Sequence, residues 1–280
     1  MRNNAIIRIV LYSVSILLAL GVLLLLLGVF PSPFSAVGEY EHRASSGETD
    51  AASVKNIDVS WISGSVVFKR ADTDKIEFYE EGSFPEKDKM VWSQTGDRLK
   101  LRYKKSAFGF EIKFGTLQEP NKDLTVVLPR DWEGETLFVE AVSATVDASE
   151  LKCDALRFSG VNGAISGKDL VCNRLEVESV SGELNLAADF KKLDIDSVSA
   201  NCNVTVLGEP REISFEGVSG NLDLVWNGNV GFACELDVPL SAFESDFETV
   251  NRGDTRVYGD GACEIALDSI SGKLNIRKAQ

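Results

Sequence analysis

A short pattern recurs along this chain at intervals close to nineteen residues, and this repeat constrains the fold more than any other feature of the sequence. Each copy has an apolar residue at its first, third and tenth positions, with an acidic or small polar residue between and a Val-Ser-Gly-like step in the middle. Five copies are spaced by 19, 19, 18 and 20 residues and begin at Leu137, Leu156, Leu175, Leu193 and Ile213. Two further copies begin at Ile57 and Ile265.

Each copy has the two-residue period of a β-strand and not the period of a helix. Glu176 and Glu178 alternate with Val177, as expected of a strand with one apolar face. The alternation breaks between Val177 and Val180, which three steps separate. A small residue, Ser179 in this copy, stands where the strand must bend.

A unit of this length cannot bury one apolar face alone, so neighbouring units are expected to stack, with equivalent residues in columns about 4.8 Å apart. The two predicted inward columns are Val146, Ile165, Leu184, Cys202, Leu222 and Leu274, and Val139, Phe158, Val177, Ile195, Phe215 and Leu267. Whether Gly182 and its equivalents face the interior or form a second corner stays open. We predict an all-β fold, a single-stranded parallel β-solenoid or β-helix over residues 54–278, with loops in the early coils and in 239–262.

The N-terminal segment carries a separate signal. Residues 9–30 contain no charged side chain and, as a helix, would span about 33 Å, enough to cross a bilayer. Arg2 and Arg8 precede this segment, and Pro31 and Pro33 end it. We therefore expect a cytoplasmic tail over 1–8, a transmembrane helix over 9–30, a flexible stalk over 31–53 and an extracytoplasmic domain. A cleaved signal peptide is the competing interpretation, with its small-x-small site at Ala36 to Gly38.

Composition excludes several classes of function. The chain has 29 Lys+Arg against 43 Asp+Glu and a formal net charge of −14, so it repels nucleic acid. Its one histidine is His42, in the predicted stalk, which argues against histidine-based triads and metal sites. We expect no catalytic residue and no cofactor.

Carboxylates collect on one predicted outward face of the repeat. They are Glu140, Glu176, Glu178, Asp194, Asp196, Glu216 and Asp268. One interpretation is a solvated acidic face, and a second is a divalent-cation site with Glu178, Asp196 and Glu216 as candidate ligands. A third is a pair of catalytic carboxylates acting on a polysaccharide. No metal site is firmly predicted.

The cysteines allow three interpretations. Cys153 and Cys172 occupy the same position in successive units, so stacking would hold their Cα atoms about 4.8 Å apart, within the range of a disulfide. Because the chain has 5 cysteines and no Cys-x-x-Cys motif, core thiols are the alternative, and metal ligation is a third.

Three segments of the sequence resemble a known family. The repeated VSG units, the LTVVLP segment from Leu124 and the closing GDGACEIALDSISGKLNI resemble the bacterial putative-adhesin β-strand-repeat proteins, a domain family of unknown function. The resemblance covers most of 54–278. It implies a parallel β-solenoid in a bacterial envelope, often behind one transmembrane helix, and it brings no catalytic residues.

These observations lead to one expected function and two alternatives. The chain is expected to be a non-enzymatic, single-pass protein of the cell membrane whose solenoid is an adhesin-like binding scaffold. Its expected partner is an envelope polymer or a membrane protein. The first alternative is an accessory regulator of an envelope-stress system, which the family resemblance implies and which would signal through a membrane partner. The second is a carboxylate-based enzyme that processes polysaccharides.

Overall fold

The computed structural model describes residues 42–103, 120–237, 242–253 and 255–279. The predicted cytoplasmic tail, the predicted transmembrane helix and residues 31–41 of the predicted stalk lie outside these ranges. Within the described ranges, no helix is long and apolar enough to cross a membrane. The helices there are two short 3-10 segments, Ala51–Ser53 and Glu86–Asp88.

Strands account for most of the described chain, as predicted. In chain order they are β1 (His42–Arg43), β2 (Ser46–Asp50), β3 (Asn56–Ala71), β4 (Lys75–Gly82), β5 (Val91–Thr95), β6 (Arg98–Arg102), β7 (Lys122–Pro129), β8 (Gly134–Asp147), β9 (Cys153–Val171), β10 (Arg174–Asp189), β11 (Lys192–Val206), β12 (Glu212–Gly217), β13 (Asn221–Trp226), β14 (Phe232–Asp237), β15 (Phe243–Ser245), β16 (Val250–Arg252), β17 (Thr255–Tyr258), β18 (Cys263–Ser269) and β19 (Lys273–Lys278).

The centre of the molecule is a parallel solenoid in which each coil lies on the previous one. Leu156 pairs with Leu137 on one side and with Leu175 on the other, and the pairing continues through Leu193 to Ile213. Both predicted inward columns form in register, and every one of their residues is buried. The predicted all-β solenoid is therefore confirmed. Burying each of these side chains contributes about 1.5–3 kcal/mol to stability.

The coils at the two ends are not stacked in chain order. β18 lies between β12 and β14, and β19 lies between β13 and β15, so the last strands of the chain insert beneath earlier ones. At the other end, β3 lies between the β6–β7 coil and β8. As a result, the seven copies of the repeat, including those at Ile57 and Ile265, form one uninterrupted stack. The less regular segments form its outer layers.

Antiparallel strands close both ends of the stack. At one end β4 pairs with β7 and β2, and β5 pairs with β6 and β1. At the other end β17 pairs antiparallel with β14 and with β16. Such pairing covers edges that would otherwise present free main-chain donors and acceptors to another chain.

Residues 42–53 differ from the flexible stalk predicted for them, because they form β1, β2 and a 3-10 helix of the folded domain. A strand pairs through its main chain, so the polar composition of this segment does not prevent pairing. Gly47 lets β2 lie close to the aromatic side chains beneath it, since an added Cβ would be 2.5 Å from the Phe78 ring. His42 stacks on Trp92 with ring centroids 4.4 Å apart.

The Val-Ser-Gly step forms the corner of each coil, and the position of Gly182 faces the interior, since its equivalents Ala144 and Ala200 are buried. Gly182 has a φ of 137°, and a Cβ on it would lie 2.2 Å from the carbonyl oxygen of Gly163 in the preceding coil. The adjacent Ser181 hydroxyl donates to the carbonyl oxygen of Val161 over 3.1 Å. Ser199 donates in the same way to Val180 over 3.4 Å. The serines therefore tie each corner to the coil below.

Substitution of the corner glycine tests this account. We expect Gly182→Ala to lower the free energy of unfolding by about 2 kcal/mol, because the new Cβ meets main-chain atoms and the backbone conformation disfavours a side chain. Gly96→Ala is the matched control, since Gly96 also has a positive φ but nothing lies within 4 Å of its added Cβ. Chemical unfolding of both variants, followed by circular dichroism, measures the difference. An equal loss in the two variants would contradict the close approach at the corner.

Candidate functional site

Four carboxylates line up on the outer face of the first strand segment of successive coils. Glu178 pairs in register with Asp196, Asp196 with Glu216, and Glu216 with Asp268. We call these four residues the acidic ladder. Each one lies directly after a buried residue of the inner column, so strand alternation sends its side chain outward. The Cα atoms of neighbouring members are about 4.8 Å apart.

The other predicted carboxylates are not part of this ladder. Glu176 and Asp194 lie two residues before ladder members Glu178 and Asp196, and they pair with each other. In the next coil, the residue that pairs with Asp194 is the uncharged Ser214. Glu140 is separated from Glu178 by Ser159. It accepts a hydrogen bond from the Ser60 hydroxyl over 3.2 Å, and burial raises the pKa of Glu140.

A basic side chain compensates the Glu178 end of the acidic ladder. The Arg157 guanidinium donates to Glu178 over 2.6 Å and lies 3.9 Å from a carboxylate oxygen of Glu176. In the part of the chain that the structure describes, Asp196 and Glu216 form no ion pair and accept no hydrogen bond. Two adjacent carboxylates at the middle of the ladder therefore face solvent without a counter-charge.

The electrostatic consequence is concentrated at Asp196. Partial loss of hydration between the stacked strands, together with the carboxylates of Glu216, Glu178, Asp194 and Glu176, raises the pKa of Asp196 to about 6. Its ordinary pKa is near 3.8, so the folded protein holds a proton on Asp196 more tightly than the unfolded chain does. Ionising this group at neutral pH therefore opposes folding.

The predicted cation ligands Glu178, Asp196 and Glu216 do lie in three consecutive coils. However, Glu178 is engaged by Arg157, and within the described residues no group of three or more His, Cys, Asp or Glu side chains could hold a metal ion. Cation binding at these residues therefore stays a prediction.

An apolar ridge runs beside the acidic ladder, two residues further along each strand. It consists of the valine or isoleucine of the Val-Ser-Gly step in every coil, namely Ile62, Val142, Val161, Val180, Val198, Val218 and Ile270. We call it the valine ridge. Most of these side chains are half-buried, and Ile270 is 45% exposed. Seven positions at the strand spacing make the ridge about 29 Å long.

The repeated valine or isoleucine of the Val-Ser-Gly step is visible in the sequence, but the repeat alone did not show whether this side chain points inward or outward. Three steps separate Val177 from Val180, so alternation that continues from Val177 points Val180 outward. In agreement, the position between them, that of Ser179, is buried in the coils where Trp61, Ala141, Ser197 and Ser269 occupy it. Stacked hydrogen bonds from the corner serines hold Val180 and its equivalents there, because they fix the main chain of the valine in the neighbouring coil. The structure thus places an apolar and an acidic column side by side.

The cysteines are buried free thiols in the structure. Cys153 and Cys172 lie on neighbouring parallel strands, and the adjacent Lys152 pairs with Val171. Burial raises the pKa of Cys172 to about 12 and raises that of Cys153 as well. Such thiols carry almost no thiolate at neutral pH and are poor nucleophiles. The disulfide between them stays a prediction.

A buried ion pair that the sequence pattern did not indicate lies near one end of the solenoid. The Lys122 ammonium is 2.7 Å from a carboxylate oxygen of Glu80, and both side chains are fully buried. The ammonium also lies 3.9 Å from the centroid of the Tyr103 ring and donates to the carbonyl oxygen of Asp88 over 2.8 Å. Glu80 further accepts from the main-chain N–H of Met90 over 2.7 Å. These contacts satisfy the pair internally, so it joins β7 to β4 as part of the core.

Comparison with known proteins identifies the family to which the repeat region belongs. The family described as Toastrack DUF4097 matches residues 54–224. No curated protein matches the chain. Similar solved structures include a putative cell adhesion protein from Clostridium sporogenes, with 10% identity, a TM-score of 0.38 and coverage of 86% of this chain and 99% of that one. A putative adhesin from Bacteroides fragilis has 12% identity, a TM-score of 0.41 and coverage of 86% and 98%. A putative adhesin from Parabacteroides distasonis has 11% identity, a TM-score of 0.37 and coverage of 86% of this chain and 97% of that one.

Removal of one partner tests the structural role of the buried ion pair. We expect Lys122→Met to lower the free energy of unfolding by about 3–5 kcal/mol, because it leaves the Glu80 carboxylate buried without its counter-charge. The double variant Lys122→Met/Glu80→Gln should lose less free energy of unfolding than the single variant, because it no longer contains a buried unpaired charge. Urea titration of the three proteins gives the comparison. A double variant less stable than the single one would show that the pair is not coupled in this way.

The raised pKa of Asp196 predicts a stability change that depends on pH. Above pH 6 the ionised Asp196 destabilises the fold, and below about pH 3, where it is protonated in both states, this penalty is absent. Asp196→Asn should therefore raise the free energy of unfolding by up to about 1 kcal/mol at pH 7.5 and leave it nearly unchanged at about pH 3.

The control for this experiment is Glu183→Gln. Glu183 is exposed, and its in-register neighbours Ala164 and Asn201 are uncharged, so its removal should not change stability with this pH dependence. Thermal unfolding across the pH range measures both variants. A gain from Asp196→Asn that is the same at both pH values would rule out the repulsion inferred for the ladder.

Proposed function

The chain belongs to the Toastrack DUF4097 family, and on that premise we propose that it is a non-enzymatic, adhesin-like binding scaffold. Its ligand contacts the outer face that carries the acidic ladder and the valine ridge. The observation that carries this proposal is the uncompensated pair Asp196 and Glu216 lying in register beside a continuous apolar ridge. Uncompensated charge next to accessible apolar surface is costly for a free protein and becomes favourable when a complementary partner covers it.

The rigidity of the solenoid supports a scaffold function. Main-chain pairing joins neighbouring coils along both strand segments from β8 through β11, with breaks near the Val-Ser-Gly step. The outer side chains are therefore held at one repeated spacing, so a partner loses little free energy in ordering this surface. A repetitive envelope polymer or an elongated protein segment suits such a surface.

The placement of the ionisable groups argues against a catalytic site. Glycoside hydrolysis needs two carboxylates on opposite sides of the scissile bond, whereas the acidic ladder presents its carboxylates side by side on one sheet face. His42 lies on the short β1 strand at one end of the stack, stacked on Trp92. The buried cysteines have raised pKa values. The described residues therefore support binding better than bond cleavage.

We further propose that this scaffold is extracytoplasmic and anchored in the cell membrane through residues 9–30, whose uncharged sequence supports the assignment. An accessory regulator of an envelope-stress system is the alternative. Such a regulator would use the same binding face, but it would also need its residues 9–30 to contact a partner protein within the membrane. Scrambling residues 9–30 at constant hydropathy separates the two, because a regulator would lose its phenotype and a scaffold would keep it.

Site-specific crosslinking in cells tests the binding face directly. A photoreactive residue in place of Val198 or Glu216 should capture a defined partner in the full-length protein. The same residue in place of Asn203 should not, because Asn203 is exposed on the second strand segment, away from the acidic ladder. Capture from all three positions alike, or from none, would refute this face as the binding surface, and release of product from a polysaccharide would refute the non-enzymatic assignment.

A further inference from the structure

The valine ridge and the acidic ladder define the chemistry of the partner, given that they form the proposed binding face. The two columns run parallel along the solenoid axis, with Val180, Val198 and Val218 each two residues after a ladder carboxylate. Two residues of strand correspond to about 6.6 Å. A partner that covers both columns must therefore present an apolar row and a cationic row side by side, about 6.6 Å apart.

The valine ridge is suited to binding a rigid apolar row. Its members are β-branched, so their side chains have few rotamers to lose when a partner covers them. Six of the seven are half-buried, and they recur at the same place in successive coils. Covering a ridge of this kind removes further apolar surface from water.

The acidic ladder determines the sign of the partner's charge. Asp196 and Glu216 lack a counter-charge among the described residues, and Arg157 at the end of the ladder is already paired with Glu178. The chain as a whole carries a net charge of −14, so an anionic partner is repelled at a distance as well as on contact. A second copy of this chain is disfavoured on this face for the same reason, because two acidic ladders would oppose each other.

We propose that the partner of this face is a cationic amphipathic helix, lying along the solenoid axis with its apolar side chains on the valine ridge and its Lys or Arg side chains on the acidic ladder. A helix presents apolar residues three and four positions apart as one stripe, with charged residues beside it. Its pitch of about 5.4 Å is close to the coil spacing of about 4.8 Å, so several turns can contact successive coils. An uncharged glycan supplies neither row.

Binding of a synthetic probe to the full-length protein tests this proposal. The probe is a fluorescently labelled amphipathic helix of leucine and lysine, about 20 residues long to match the ridge at 1.5 Å per residue. The control probes are the same composition in a scrambled order and the same pattern with glutamate in place of lysine. We expect the amphipathic cationic probe to bind at least tenfold more tightly than either control.

Variants of the protein separate the two columns. Asp196→Asn/Glu216→Gln should weaken binding about tenfold and reduce its dependence on salt, because two charge contacts are lost. Val180→Thr/Val198→Thr keeps the β-branched shape and should weaken binding while leaving the salt dependence unchanged. Glu183→Gln should bind as the unmodified protein does. Circular dichroism and thermal unfolding confirm that each variant is folded, and the single substitutions replace any double variant that is not.

Equal binding of the scrambled or the glutamate probe, or unchanged binding by the ladder variant, would overturn this proposal. So would capture of a polymer or an uncharged protein segment in the cellular crosslinking experiment, although the proposed binding function would then stand. Capture of a cationic amphipathic segment by photoreactive residues at positions 198 and 216 would support both the proposed binding function and the proposed partner.

Discussion

In-register pairing of successive coils is the interaction on which the rest of this structure depends. Because side chains alternate along a strand, a slip of one residue would exchange every buried side chain for an exposed one. The repeat tolerates spacings of 18 to 20 residues because the extra residues fall in the turns between strands or in a register shift such as that of β9 opposite Leu186 and Ala188. Corner contacts such as that between Ser181 and Val161 hold the same register where the strand bends.

The same register that builds the core also builds the outer face. Each coil places an apolar residue inside, a carboxylate outside and a β-branched residue on the corner, and stacking turns these single positions into columns. The mutual repulsion of Asp196 and Glu216 is a direct cost of that arrangement. The buried columns offset this cost, since several large apolar side chains are buried for every outward carboxylate. An unfavourable column can therefore persist where a partner would make it favourable.

The ends of the solenoid follow different rules from its centre. A central coil is covered by equivalent coils on both sides, whereas a terminal coil must bury its outer surface against something else. Here antiparallel strands cover the terminal edges, and the Lys122–Glu80 pair with its aromatic neighbours fills one end of the core. Described residues of the segment preceding the repeat, 42–53, are recruited into the same cap.

The sequence by itself determined the coil, its inward columns and the carboxylates that face outward, because strand alternation is a local property that any single repeat displays. The bend predicted at Ser179 was wrong, since the equivalent residues Trp61 and Ala141 are buried and alternation breaks only after Val180. Tertiary structure alone decided the order of the terminal coils, the folding of residues 42–53 and the burial of Lys122 beside Glu80. It also decided that Val180 and its equivalents form a half-buried ridge and that Glu140 is separated from the acidic ladder. These features depend on which strands pair across long separations, and several strands with the same alternation compete for each partner.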